Sequence, residues 1–380
     1  MTEYIMWTII FLLIIASMVA GLIYLVSRVY KTDFIEKTSK GKKSLRILIS
    51  ILLVIAAFAA VWFAMGNMNA IVCLIHLVVF WILSDLLLLI IKKKRKKSFK
   101  RYYGGALAAL ITVAYLGTGY FMAHHVWRTD YTVETNKVAG NIRIIQFADS
   151  HVGTTFNGQE FETYVKKMQE ENPDVVLITG DFVDDDTSKE DMIAACKALG
   201  TLKTTYGIYY SFGNHDKGYY GPQYRGYSGQ DLIKELTKNN VKVLQDESVL
   251  IDNRFYIIGR QDRFEEQYSS GRAGIIDLVK DLDKDKYMIV MDHQPHDYKD
   301  EADAKVDLVL SGHTHGGHTH GGQLFPINFI GELIKENDRT YGYEKRQSTD
   351  FIVTSGISDW AIDFKTGCKS EYVVIDVKGK

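Results

Sequence analysis

At 380 residues the chain is long for a single average domain, so two domains are expected. A hydrophobic content of 47% excludes a disordered chain, and three cysteines (Cys73, Cys196, Cys368) exclude a disulfide-stapled mini-protein and a cysteine zinc site. The formal net charge of −1 hides an asymmetry: residues 1–101 carry 15 Lys/Arg against 4 Asp/Glu, a net of +11, which leaves −12 for the remainder and makes nucleic acid a poor partner.

Between Glu3 and Arg28 lie 24 uncharged residues, and a ~30 Å hydrocarbon core needs only about 20 in a helix. A cleaved signal peptide fits less well, because the segment lacks a basic front end and further apolar stretches follow it. Residues 47–84 form a second uncharged stretch of 38 residues, interrupted by the turn formers Gly66-Asn67-Met68-Asn69. Residues 102–127 form a third stretch, 26 residues without Asp, Glu, Lys or Arg. These patterns predict four spans, near residues 5–27, 46–65, 70–91 and 104–126, all apolar around the whole helix.

Residues 28–46 hold seven Lys/Arg and residues 92–101 hold eight, whereas the hairpin at 65–69 holds none. Short basic loops stay cytoplasmic, so residues 128–380 are expected outside the cell membrane. Asp85, near the cytoplasmic end of the third span, is within reach of the lysine cluster beginning at Lys92, and a structural role is expected for it. The organisation read from the sequence is a membrane domain at 1–127, a polar linker at 128–140 and a soluble domain at 141–380.

Beyond residue 140, buried-strand runs alternate with helical spacing: strands near 141–147, 174–179, 206–211, 241–244, 254–259, 287–292, 306–310, 350–355 and 371–377. That alternation predicts an α/β domain with its site beyond the carboxyl ends of the strands. The ends are chemically alike. The first strand runs into Asp149-Ser150-His151, the next into Gly180-Asp181, and the third into Gly213-Asn214-His215-Asp216. Later strands lead to His293 and to Gly312-His313-Thr314-His315. Five strand ends in turn offer oxygen and imidazole donors suited to borderline divalent metals.

The five blocks, in this order, resemble the calcineurin-like metallophosphoesterase superfamily over residues 141–380. Asp292-His293-Gln294-Pro295 and Ser311-Gly312-His313-Thr314-His315-Gly316-Gly317 are similar to its bacterial membrane-associated branch. The resemblance implies a two-sheet sandwich flanked by helices, α/β/β/α. It also implies two divalent ions (Mn, Zn or Fe), one held by Asp149, His151 and His315 and the other by Asn214, His293 and His313, with Asp181 bridging. By the same resemblance His215 acts as general acid or stabilises the transition state, and Asp216 orients its ring. Such ions neutralise phosphate oxygens and activate water.

One departure from the family pattern is a repeat: His-Thr-His-Gly-Gly occurs at 313–317 and again at 318–322. The preceding strand favours His313 and His315, because a strand end fixes ligands better than a loop; His318 and His320 are the alternative. The expected activity is a membrane-anchored, extracytoplasmic phosphoesterase. Its substrate would be a phosphodiester, pyrophosphate or phosphomonoester, and location alone suggests a lipid headgroup or an envelope precursor. Alternatives are a phosphatase or phosphodiesterase for soluble nucleotides or polymers, and a catalytically silent receptor with the same fold.

Overall fold

The computed structural model describes residues 2–96, 102–268, 271–316 and 337–380. The second His-Thr-His-Gly-Gly copy, with His318 and His320, lies outside the described residues. The chain divides into two compact units, Met1–Thr118 and Gly119–Lys380.

The first unit is helical: Thr2–Val29, the short Asp33–Thr38, Lys43–Arg95 and the greater part of Gly104–His124. Among the described residues, two helices, Lys43–Arg95 and Gly104–His124, are long and apolar enough to cross a membrane. The 53-residue helix is broken where the hairpin was expected, at Gly66, whose φ of 84° and ψ of 172° are not helical. Its halves face each other, since Val54, Phe58 and Val61 line one cavity with Ala70, Leu74 and Leu77. In an unbroken helix Val54 and Leu74 would stand ~30 Å apart.

Among the described residues, Asp85 does not turn to the lysine cluster. It pairs with Arg28 at the end of the first helix (Nε–Oδ2 2.9 Å) and accepts hydrogen bonds from Tyr24 (2.9 Å) and Tyr102 (2.6 Å). Away from water this packed cation and two hydroxyls satisfy the carboxylate better than flexible lysines on its own helix.

The second unit carries twelve described strands: β1 (Val126–Glu134), β2 (Asn141–Phe147), β3 (Val175–Thr179), β4 (Ile208–Ser211), β5 (Val241–Val243), β6 (Glu247–Ile251), β7 (Phe255–Gly259), β8 (Tyr287–Met291), β9 (Leu308–Ser311), β10 (Gly342–Arg346), β11 (Thr349–Val353) and β12 (Ser370–Lys378). They form two six-stranded mixed sheets, ordered β1-β12-β2-β3-β4-β5 and β10-β11-β9-β8-β7-β6. In the first sheet β2 to β5 run parallel, and in the second β7, β8, β9 and β11 do.

Strand alternation builds the layers. Ile142 and Ile144 meet Ile289, Leu308, Leu310 and Ile352 of the other sheet. Their neighbours Ile145 and Phe147 face outward onto Phe161, Val165, Met192 and Leu199 of two covering helices. On the far side Met288 and Val290 pack against Val279 and Tyr298. The α/β/β/α sandwich expected from the resemblance is observed.

The polar linker is not. Residues 126–134 form β1, paired along its whole length in parallel with β12, from Val126 opposite Ser370 to Glu134 opposite Lys378. Its polar residues look outward because it is an edge strand, while Val126 and Val133 are buried. A fragment beginning at residue 141 therefore loses about 3–6 kcal/mol of apolar burial, taking 1.5–3 for each valine as an upper estimate. Thermal unfolding of that fragment should fall roughly 10 °C below that of one beginning at residue 120; equal melting temperatures would return β1 to the status of a linker.

Candidate metal centre

Because β2, β3, β4, β8 and β9 run in the same sense within their sheets, their carboxyl ends bring the five sequence blocks to one edge of the sandwich. Gln146 stitches that edge across the core, its side-chain NH2 donating to Thr179 Oγ1 (3.2 Å) and to the Ser311 carbonyl (3.0 Å). Two groups of donors result, Asp149 with His151 and His315, and Asp181 with His293 and His313; within each group the donor atoms lie within 4.8 Å of one another. The groups adjoin through Asp181, whose Oδ2 is 3.1 Å from His293 Nε2 and 3.7 Å from His151 Nε2. Its other oxygen accepts the His215 backbone N–H at 2.8 Å.

The backbone here is strained in a patterned way. Asp149, His151, Asp181, His313 and His315 all have positive φ, between 34° and 71°. Such conformations cost of order 1–3 kcal/mol each and persist only where the surroundings enforce them. The glycines of the blocks leave the needed room. A Cβ on Gly180 (φ 80°) would lie 2.5 Å from Gly213 N and 2.8 Å from His293 Nδ1, and one on Gly312 would lie 2.6 Å from Asp149 Oδ2.

Each of three imidazoles is oriented from behind. His151 Nδ1 donates to Asp184 Oδ2 (3.1 Å), His293 Nδ1 donates to the Thr179 carbonyl (2.8 Å), and His315 Nδ1 faces Asp359 Oδ1 at 3.3 Å. A histidine held through Nδ1 presents a bare Nε2, the usual arrangement behind a metal ligand. The Nε2 atoms of His151 and His293 are buried without a hydrogen-bond partner, and so is Asn214 Oδ1, whose amide NH2 donates to Tyr219 OH (2.8 Å). Unpaired buried polar atoms are costly, and divalent cations would satisfy all three. The donor set fits the metals that the resemblance implies.

Charge is distributed unevenly between the two buried aspartates. Burial pushes the Asp149 carboxyl up to about 7. Burial acts on Asp181 in the same direction, yet His293, His215 and His151 hold its carboxyl well below the usual range. Asp181 is thus the more firmly ionised of the two, as suits the residue common to both groups.

His215 sits at the mouth, its ring 5.1 Å from that of His151, 5.0 Å from Tyr219 and 5.2 Å from Trp360. Burial lowers its pKa. Asp216 does not orient this ring, contrary to expectation. Its carboxylate accepts four backbone N–H groups, from Gly213 (2.7 Å), Phe182 (2.8 Å), Asp181 (2.9 Å) and Val183 (3.2 Å). The chain turns inward after His215, so Asp216 ties the β3 and β4 loops together beneath the site.

Sequence reasoning missed Asp359 and the Thr179 carbonyl. Asp359 was findable, since β11 is parallel to β9 and the residues beyond it must face the same edge. Arg260 is buried against Asp292 (2.8 Å) and Asp297 (2.9 Å), with Arg272 also on Asp292. Cys196 and Cys368 are unpaired.

A sandwich with paired Asp/His clusters on the strand ends defines a metal-dependent hydrolase site. Residues 142–317 match the family profile described as calcineurin-like phosphoesterase. An uncharacterized metallophosphoesterase of Aquifex aeolicus is 31% identical over 261 residues, covering 66% of this chain and 91% of that protein. One of Campylobacter jejuni is 29% identical over 256 residues, covering 65% of this chain but 62% of the relative, less than two thirds of its length. A zebrafish transmembrane protein with metallophosphoesterase domain is 29% identical over 248 residues, covering 62% of this chain and 53% of its own. The chain belongs to the calcineurin-like phosphoesterase family and is a metal-dependent phosphoesterase.

Replacing Asp184 or Asp359 by Asn should weaken metal affinity about 10–100-fold with the fold intact, read by metal titration and circular dichroism. Asp216→Ala should instead lower the melting temperature, because it strands four buried N–H groups at about 1–3 kcal/mol each before relaxation.

Proposed function

We propose that this protein is a two-metal phosphoesterase in which Asp149, His151 and His315 hold one ion and Asn214, His293 and His313 the other, with Asp181 bridging. The observation that carries this reading is the single Asp181 oxygen facing a histidine of each group, 3.1 and 3.7 Å away. When bound, divalent ions supply Lewis acidity toward phosphoryl oxygens and lower the pKa of water. The protein contributes the rest. Asp181 and Asp149 balance the metal charge, and the neutral Asn214 limits the negative field met by an anionic substrate. His215, standing at the mouth, hands a proton to the departing oxygen.

The same reading places the enzyme in the cell membrane on four spans, with residues 128–380 extracytoplasmic. The first unit supports it. Arg28 at the end of the first helix, Asp85 and Tyr102 meet in one polar cluster, and Arg46 donates to the Tyr30 carbonyl at 2.6 Å. The helix ends flanking both basic loops thus gather on one side, the side that positive charge keeps cytoplasmic. Its substrate would be a phosphodiester, pyrophosphate or phosphomonoester of a lipid or envelope precursor.

Elemental analysis should find that Asp181→Asn weakens both ions, whereas His215→Ala keeps them and loses about 10²–10⁴ in kcat. Two tightly held metals in Asp181→Asn would refute the bridge. Protease added to intact cells should degrade residues 128–380; their survival alongside a digested external control would reverse the orientation.

A further inference from the structure

The segment 355–369, between β11 and β12, touches the metal centre with one part and the last apolar helix with another. Asp359 faces His315 at 3.3 Å, and the Trp360 ring lies 5.2 Å from that of His215. A few residues on, the Lys365 N–H donates to the Gly119 carbonyl at 2.9 Å and Phe364 meets Tyr120 edge-on. Gly119 admits the loop, since a Cβ there would lie 3.1 Å from Thr366 Cγ2 and 3.2 Å from the Lys365 carbonyl.

Fully buried Lys365 ties the loop to itself, its Nζ reaching the carbonyls of Ser355 (2.6 Å) and Gly356 (3.2 Å). Helix ends leave their last carbonyls without intrahelical partners. Here those of Ala123 and His124 accept from Ser370 Oγ (2.8 Å) and Tyr164 OH (3.3 Å). Residues 119–124 are therefore a rigid part of the catalytic unit, not a tether.

Residues 119–124 are the last of the apolar helix Gly104–His124, and the end of a span lies at the membrane surface. Trp360 is four residues from Phe364, at most ~14 Å along the chain. Trp360 (40% exposed) and Tyr219 (46%) stand beside His215, and just beyond Tyr219 the chain exposes Tyr220 (67%) and Tyr224 (59%), their rings 5.3 Å apart. Amphipathic rings of this kind prefer the bilayer interface.

We propose that the catalytic unit takes its phosphoester from the bilayer surface. The 355–369 loop holds the metal centre at headgroup height, and Trp360, Tyr220 and Tyr224 rest in the interface while the rest of the substrate stays in the membrane. This rests on the membrane-anchored phosphoesterase reading and narrows its substrate class to phosphoesters of membrane lipids.

The test uses the full chain reconstituted in phosphatidylcholine vesicles with Mn. Hydrolysis of vesicle-borne phosphatidic acid and phosphatidylglycerol is compared with that of glycerol 3-phosphate, glycerophosphoglycerol, ADP and bis(4-nitrophenyl) phosphate. The lipid forms should be preferred over their soluble counterparts. Tyr220→Ala/Tyr224→Ala should lose about tenfold in kcat/KM on vesicles through KM alone, at an unchanged rate on bis(4-nitrophenyl) phosphate. An unaffected vesicle rate, an equal loss on every substrate, or a loss confined to ADP would overturn the proposal, the last by making the rings a base-stacking platform.

A second readout does not depend on turnover. In a variant whose other tryptophans (Trp7, Trp62, Trp81, Trp127) are phenylalanine, brominated lipids should quench Trp360 fluorescence. Absence of quenching overturns the surface placement, whereas quenching without any hydrolysis defeats the phosphoesterase reading alone.

Discussion

The structure of the site depends on the Asp181 carboxylate. One oxygen is pinned by the His215 backbone N–H and the other faces both histidine groups, so a single side chain sets the separation and the charge of the whole centre. Keeping an ionised carboxylate in a fully buried position requires surrounding positive charge, and the imidazoles provide it until cations do. This is why four histidines accompany the two carboxylates, and why the blocks that carry them must converge.

Convergence is enforced by backbone as much as by side chains. Five candidate ligands have left-handed φ values, and they are aspartates and histidines, residues enriched among the non-glycines that adopt such angles. What holds them is the sandwich edge. Asp216 gathers four N–H groups from the β3 and β4 loops, and the Asp149 carboxylate accepts the His313 N–H (3.0 Å) from the other sheet. Strain at the ligands is balanced by packing of two strand layers whose core residues are almost wholly buried.

Eight of the nine strands that sequence reasoning found lie inside the sheets and carry apolar runs; the ninth, β5, is an edge strand. The three it missed, β1, β6 and β10, are outermost strands. Edge strands keep polar and charged residues on the side open to water, so residues 128–134 read as linker and Gly342–Arg346 gave no strand signal. The ligand blocks were legible for a related reason. Their chemistry is concentrated in short segments immediately after buried strands, where residue type is constrained by metal and phosphate. Asp216 was legible as important but not in role, and Asp85 in its structural role but not in its partner, because each finds its partners outside its own segment: N–H groups beyond the neighbouring strand β3 for Asp216, and Arg28 on another helix for Asp85.

From its sequence alone the chain determined its apolar helices, the alternation that makes an α/β domain, and the identity of the donors, since these follow from local periodicity and local chemistry. Tertiary structure alone decided that β1 is a strand, that Asp216 supports loops and not an imidazole, and that Asp184, Thr179 and Asp359 orient the histidines. It also built the end of the apolar helix into the catalytic unit. Each of these depends on which atoms meet across tens or hundreds of residues. No pattern of spacing encodes that distance until strands pair and the sheets close on one another.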